Sequence, residues 1–261
     1  MSTRLFLATA LAVLHSTSLA AEKVTLYGDD DYPPYSYVEN GQFKGIYVDF
    51  LKRVATRLAG SYDVDLKPIP WKRGLAMLEY GDAVALFPPY LRKERTYIQP
   101  YSETIYTEKV VIVCNDQAMN KPRKTFPDDF GDVTMGVNAG FQLADNFVNA
   151  RKAGKIKVEE VKGTDANLEK LASNRIGCYA NDRLSTQYTL KKMKTGPHDT
   201  PVITNLHLNE VYELSSEDVF VGYSLRNMAP YKADFIDKLN ASILEARKSG
   251  AMSKLIGAYA M

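Results

Sequence analysis

The pattern that most restricts this chain is an alternation of short apolar strands with amphipathic helices, run through twice. KVTLYG reads as a strand. From Ile46 the apolar residues return every four positions, at Phe50, Val54 and Leu58, which is one face of a helix. DVDLKPI is a second strand, WKRGLAMLEYG a short helix stopped by Gly81, and AVALF a third strand. Parallel strands need crossover helices, so this is a β-α-β-α-β unit. The long apolar strand TEKVVIVC follows on its own. A second unit then repeats the scheme with VTMGV, the helix QLADNFVNARKAG, IKVEEV, the helix DANLEKLASNR and IGCYA, and RLSTQYTLKKM adds a helix. After the turn-rich KTGPHDTP come VITNLHL and the strand DVFVGYSL. A long helix from about Tyr231 carries Phe235, Leu239 and Ile243 on one face and stops at Gly250, before the short helix MSKLIGAYA. The expectation is an α/β protein of two Rossmann-like lobes.

Ligands of such sheets bind at the carboxyl ends of the strands, so a site is expected in the cleft between facing lobes. Four strand ends carry chemistry. GDDDYPPYSY supplies Asp29, Tyr32 and Tyr35; PIPWKR supplies Trp71, the only tryptophan; PPYLRKERTY supplies Tyr90 and Arg95; and NDR supplies Asp182. Aromatics and an arginine thus collect in the first lobe and a carboxylate in the second.

The N-terminus bears on the compartment. Arg4 precedes an apolar stretch from Leu5 to Leu14 and a small-residue site ending at Ala20, the layout of a secretory signal over residues 1–20. That stretch is too short for a comfortable membrane span. A soluble, exported, periplasmic protein is expected. Loss of Arg4 takes the net charge from +2 to +1, a balance that points to neither nucleic acid nor an anionic membrane as partner. Cys114 and Cys178 admit one bridge in an oxidising compartment or two buried thiols. His198 and His207 have no metal spacing with them, and neither a nucleophile elbow nor a phosphate loop is present. The expectation is a protein without cofactor or metal, and not an enzyme.

Four segments carry a resemblance. YPPYSYVENGQFKGIYVDFLKRVA has an aromatic-x-Pro-aromatic step followed by Gly-x-x-x-Asp entering a helix; ERTYIQPYSETIY has Glu-Arg and then an aromatic-Ser step; NRIGCYAND is a strand ending in Asp; and FIDKLNASILEARKSGAMSKLIGAY closes the chain in two helices. In this order and spacing they resemble the bacterial extracellular solute-binding proteins of family 3, the type II periplasmic binding proteins of polar amino-acid uptake. The resemblance covers essentially the whole mature chain.

The resemblance implies a discontinuous first lobe of residues 22–112 and 208–261, a second lobe of residues 113–207 and a two-strand hinge. It implies that Arg95 grips a ligand carboxylate, a role suited to a planar guanidinium. Asp182 would take the ligand's ammonium, Tyr32 and Trp71 would flank its side chain, and Asp29 would meet its far end. Tyr90, Gly140 and Phe141 complete the candidate ligand-binding set. Read from the residues alone, Asp182 also suits a helix N-cap, Trp71 suits core packing, Asp29 suits a solvated acidic turn, and Arg92 and Lys93 suit a solvated surface. The chain departs from the family pattern in three places. Pro88 and Pro89 give no backbone N–H ahead of the arginine, Tyr47 replaces a usual acid, and Phe141 replaces a threonine. These changes favour a ligand recognised by aromatic surface: a modified amino acid, an aromatic acid or an amine. The implied function is capture of a small polar or amino-acid-like solute by a monomer that delivers it to the permease of an ABC transporter. The alternatives are ligand sensing for a membrane receptor, or dehydratase-like catalysis on the same scaffold.

Overall fold

The computed structural model describes residues 21–196 and 200–260. The expected signal segment and His198 lie outside the described residues.

Strand β1 (Glu22–Asp29) leads through a small antiparallel sheet of β2 (Asp31–Tyr32), β3 (Ser36–Glu39) and β4 (Gln42–Lys44) into helix α1 (Ile46–Thr56). Then come β5 (Tyr62–Ile69), α2 (Trp71–Tyr80), β6 (Ala85–Phe87), β7 (Ile98–Tyr101) and the long β8 (Tyr106–Cys114). The next stretch runs β9 (Thr134–Asn138), α3 (Asp145–Lys152), β10 (Lys157–Val161), α4 (Thr164–Ala172), β11 (Cys178–Asp182), α5 (Arg183–Thr195) and α6 (Pro201–Thr204). Last are β12 (Asn209–Val219), β13 (Gly222–Ser224), α7 (Lys232–Lys248) and α8 (Ala251–Ala260).

Two five-stranded sheets share one plan. The first has the order β5-β1-β6-β13-β7 and the second β10-β9-β11-β8-β12. In each, three parallel strands come first and the remaining two run antiparallel to their neighbours. This is the two-lobed α/β architecture that the strand and helix alternation predicts. Residues 106–112 and 209–219, expected in the first lobe, pair within the second sheet.

The chain passes between the sheets just before β8 and just after β12. The two passages are bonded to each other: Ser102 N–H donates to the Val221 carbonyl at 2.9 Å, Val221 N–H to Ser102 Oγ at 2.9 Å, and Ile105 N–H to the Val219 carbonyl at 2.8 Å. DVFVGYSL is therefore broken at Phe220–Val221 into two strands of different sheets. VITNLHL opens as the short α6, with Pro201 in its first turn, where a missing N–H costs nothing.

The first lobe is closed by helix packing. On α1, Ile46, Val48, Phe50, Leu51 and Val54 are buried, and α7 and α8 pack across it with Phe235, Leu239 and Ile243 buried. Each large apolar side chain removed from water contributes on the order of 2 kcal/mol. Gly45, ahead of α1, has φ 128°, and a Cβ there would lie 2.4 Å from the Tyr35 carbonyl oxygen. Only glycine allows this approach, which brings the Tyr35 loop against the start of the helix.

Cys114 and Cys178 are bonded to each other and face one another in the antiparallel register of β8 and β11. Of the two readings open at the sequence, the bridge is the one formed. The sequence separation is 64; closing a loop of that order stabilises the fold by roughly 4 kcal/mol in the chain-entropy account. Among the described residues no helix is long and apolar enough to cross a membrane.

Candidate functional site

The carboxyl ends of β1, β5, β6 and β9 converge between the lobes. β1 ends at Asp29, β5 is followed by Pro70 and Trp71, and β6 is followed by Pro88 and Tyr90. From the second lobe, the turn after β9 brings Gly140, Phe141 and Gln142. Together Asp29, Tyr32, Trp71, Pro88, Tyr90, Arg95, Phe141 and Gln142 line a cavity of about 300 Å³. Asp29, Trp71 and Phe141 also border a neighbouring cavity of about 540 Å³, whose other walls include Asp31, Lys72, Asn138 and Lys162.

Two lining groups are ionisable, buried and poorly compensated. Arg95 is 6% exposed. Its Nη2 donates to the Gly140 carbonyl at 3.4 Å, and its guanidinium lies 5.7 Å from the centre of the Trp71 ring. Among the described residues no carboxylate lies within 4.0 Å of it. Burial holds its pKa below the usual arginine value, and Arg92 lowers it further. Asp29 is 3% exposed, not part of a solvated turn. Its Oδ1 accepts from Asp31 N–H at 3.1 Å, while Lys162 is paired with Asp30 and Asp31. Burial, with Asp31 and Asp30 adding to it, pushes its pKa up to about 8. Lys162 pulls the Asp29 pKa down but is outweighed by burial, and among the described residues no Lys or Arg nitrogen lies within 4.0 Å of Asp29.

The walls between them are aromatic. Phe141 stands edge-on to Tyr32 at 5.2 Å and to Trp71 at 6.1 Å between ring centres. Trp71 is buried against Ile69 and Leu78 and also lines the cavity, so packing and site roles coincide. Its Nε1 donates to the same Gly140 carbonyl at 3.3 Å. Gly140 has φ 82°, and a Cβ there would lie 2.8 Å from Lys72 Cγ and 3.4 Å from Trp71 Cδ1. A side chain at this position would be strained and would crowd the tryptophan.

Of the eight candidate residues, six line one cavity and Gly140 bonds to two of them. Asp182 is placed elsewhere. Its Oδ1 caps α5 by accepting from Ser185 N–H at 2.8 Å and accepts from the Tyr35 hydroxyl at 3.0 Å. It does not line either cavity. Burial raises its pKa to about 6 against the pull of these donors.

Sequence reasoning missed the neighbour of Asp182. Glu108, on β8, is completely buried. Tyr32 Oη donates to its Oε2 at 2.5 Å, Tyr90 donates to the same oxygen, and Tyr47 donates to Oε1. Tyr47 and Tyr35 stack at 4.5 Å. Burial and the nearby Asp182 push Glu108 up to about 8, against the three hydroxyls. A signal for it exists in TEKVVIVC, because Glu108 shares a strand face with Val110, Ile112 and Cys114.

Arg92, expected on a solvated surface, is also buried. Its side chain is 8% exposed, its Nη1 pairs with Glu217 on β12 at 2.9 Å, and its Nε donates to the Gln142 carbonyl at 2.9 Å. Lys93 remains exposed. Across the other rim, Ser185 Oγ donates to the Pro33 carbonyl at 2.6 Å, and the hydroxyls of Tyr37 and Tyr188 are 3.1 Å apart.

Two α/β lobes around an interlobe cleft define a type II periplasmic binding protein. The family model of the bacterial extracellular solute-binding proteins, family 3, matches residues 24–260, and the chain belongs to that family. No match is found among curated proteins. Three solved structures have the same fold. The substrate-binding protein of an amino acid ABC transporter is 19% identical, with 91% of this chain and 98% of that chain covered and a TM-score of 0.68. A histidine kinase sensor domain with similarity to periplasmic binding proteins is 15% identical, with 92% and 96% covered and a TM-score of 0.73. The ancestral amino acid-binding protein AncCDT-1, a precursor of cyclohexadienyl dehydratase, is 19% identical, with 92% and 95% covered and a TM-score of 0.69.

Proposed function

We propose that the protein is a periplasmic binding protein for a small amino-acid-like solute with an apolar body, which it delivers to the permease of an ABC transporter. One observation carries the reading. Among the described residues, a buried arginine with no carboxylate within 4.0 Å and a buried aspartate with no Lys or Arg nitrogen within 4.0 Å open on the same aromatic-walled cavity between two lobes. Burying a charge without a partner is costly, so such groups are kept where a ligand supplies the partner. A solute carboxylate would take two parallel bonds from Arg95. Its ammonium would go to Asp29, since Asp182 already serves Tyr35 and the cap of α5. Its body would lie against Trp71, Tyr32 and Phe141.

The signal-like residues 1–20 and the Cys114–Cys178 bridge support an oxidising, extracytoplasmic compartment. Transport fits the family and the transporter-associated neighbour. Sensing is the second reading, favoured by the fold shared with a kinase sensor domain; both roles use the same cleft. A thermal-shift screen of amino acids, amines and aromatic acids, followed by calorimetry, tests the proposal. Saturable binding of a zwitterion with an apolar side chain is expected, and stabilisation only by inorganic ions or neutral sugars would refute it.

A further inference from the structure

Glu108 has no place in the reading above, and nothing about a ligand requires it. Yet it is completely buried and accepts three hydroxyls, from Tyr32, Tyr47 and Tyr90. Tyr32 and Tyr90 are the two tyrosines that line the smaller cavity, and Glu108 does not line it. Their hydroxyl ends therefore point behind the cavity wall, and what faces the solute is ring surface. A tyrosine in a cleft ordinarily offers a polar handle at its tip. Here that handle is held by an acid on β8.

We propose that Glu108 is a positioning residue that sets solute specificity: by holding the hydroxyls of Tyr32 and Tyr90 it turns two tyrosines into an apolar floor. The solute class is then an amino acid with an apolar or unsubstituted aromatic side chain. A solute whose side chain ends in a hydroxyl or amide would bury that group against rings that offer it no bond, and an unpaired buried polar group is heavily disfavoured. Glu108 also ties this floor to the second lobe. β8 lies between β11 and β12 of the second sheet, whereas the three tyrosines belong to the first lobe. A substitution at Glu108 would therefore alter selectivity from behind the wall, without touching the solute. The proposal rests on the solute-binding reading, and the experiment separates failure of one from failure of the other.

The test uses the full chain with Glu108→Gln, and Glu108→Ala as a second variant. The first readout needs no solute. A phenol donating to an ionised carboxylate absorbs further to the red, so at about pH 9, where Glu108 has lost its proton, Glu108→Gln is expected to shift the tyrosine absorption band to the blue while circular dichroism stays unchanged. The second readout is calorimetry with L-phenylalanine, L-tyrosine and L-glutamine. Wild type is expected to prefer phenylalanine to tyrosine and to glutamine. Glu108→Gln should shrink the phenylalanine-to-tyrosine preference by about tenfold, the scale of one bond gained by the ligand hydroxyl. Arg95→Ala, in contrast, should weaken both alike and leave the ratio in place. A folded Glu108→Gln with an unchanged tyrosine spectrum, or with an unchanged ratio, overturns the positioning role. Wild type that prefers glutamine overturns the specificity while leaving solute binding intact. If wild type binds none of the three but the blue shift is present, the solute class falls, while the binding reading stands or falls by the wider thermal-shift screen.

Discussion

Two regions of the cleft lie side by side and are built on opposite principles. Around Arg95 and Asp29 the protein leaves ionisable groups poorly served, each buried and with at most one weak or single bond from the chain. Around Glu108 and Asp182 every acceptor is met, by three tyrosines in one case and by Tyr35 and the first turn of α5 in the other. Buried polar groups that are fully satisfied rigidify a fold, whereas unsatisfied ones are where binding free energy is stored. In the proposed function the first region is the receptor and the second is its frame. Both contain acids and aromatic rings, but the first adds an arginine and leaves its groups with few bonds.

The largest expected effect separates the two regions by stability. Glu108→Ala strands three buried hydroxyls, and each unsatisfied group costs on the order of 1–3 kcal/mol. Chemical denaturation should show a loss of several kcal/mol. Arg95→Ala removes a buried cation that lacks a carboxylate, so the stability of the solute-free protein should stay level or rise. Equal destabilisation by both variants would erase the distinction between frame and receptor.

Binding should separate them in the other direction. Arg95→Ala is expected to weaken a carboxylate-bearing solute by on the order of 100-fold, as the anion loses its charged partner in a buried site. Tyr35→Phe removes only a bond within the frame. It should cost about 1 kcal/mol of stability and leave calorimetric affinity within a few fold. A large affinity loss in Tyr35→Phe would place Asp182 back in the receptor.

Proton linkage sharpens the comparison further. Asp29 and Glu108 titrate near 8 in the folded protein, above their ordinary 3.8 and 4.5, mainly because they are buried. The native state therefore holds protons that the unfolded chain has released between about pH 4 and pH 8. Stability should fall as pH rises through that window and level off above it. Asp182, raised to about 6, adds to the lower part of the window. Only Asp29 should respond to solute. At pH 7 an ammonium arriving at Asp29 would drive off its proton, so the binding enthalpy should vary with the ionisation enthalpy of the buffer. Asp29→Asn should abolish that variation, and Glu108→Gln should leave it. The smallest expected effect is optical. Trp71 is the only tryptophan and borders both cavities, so solute should change its emission modestly.

Much of this was legible in the sequence. Strand and helix periodicity predicted the two α/β units, but not that TEKVVIVC and residues 209–219 join the second sheet, because pairing far along the chain sets sheet membership. The strand-end rule led to Asp29, Trp71, Tyr90 and Arg95, and the family resemblance to Phe141 and Gly140. The small sheet of β2, β3 and β4 was not legible, since strands of two to four residues carry no period. The pairing of Cys114 with Cys178 depends on the register between β8 and β11, which tertiary packing sets. Glu108 was passed over because an acid near a strand's beginning is read as its solvated end. Arg92 was passed over because its partners, Glu217 and the Gln142 carbonyl, are far along the chain. Buried charge is a long-range property, and single-sequence patterns report mainly local ones.

In the proposed site Arg95 and Asp29 are the two ends of one receptor for a zwitterion. A crystal structure with the tightest-binding amino acid from the screen would show both ends at once. The solute's carboxylate is expected in bidentate contact with the Arg95 guanidinium, its ammonium on Asp29, and its side chain against Trp71, Tyr32 and Phe141. A solute bound with its carboxylate away from Arg95, or with its ammonium on Asp182 after Tyr35 has moved aside, would contradict it.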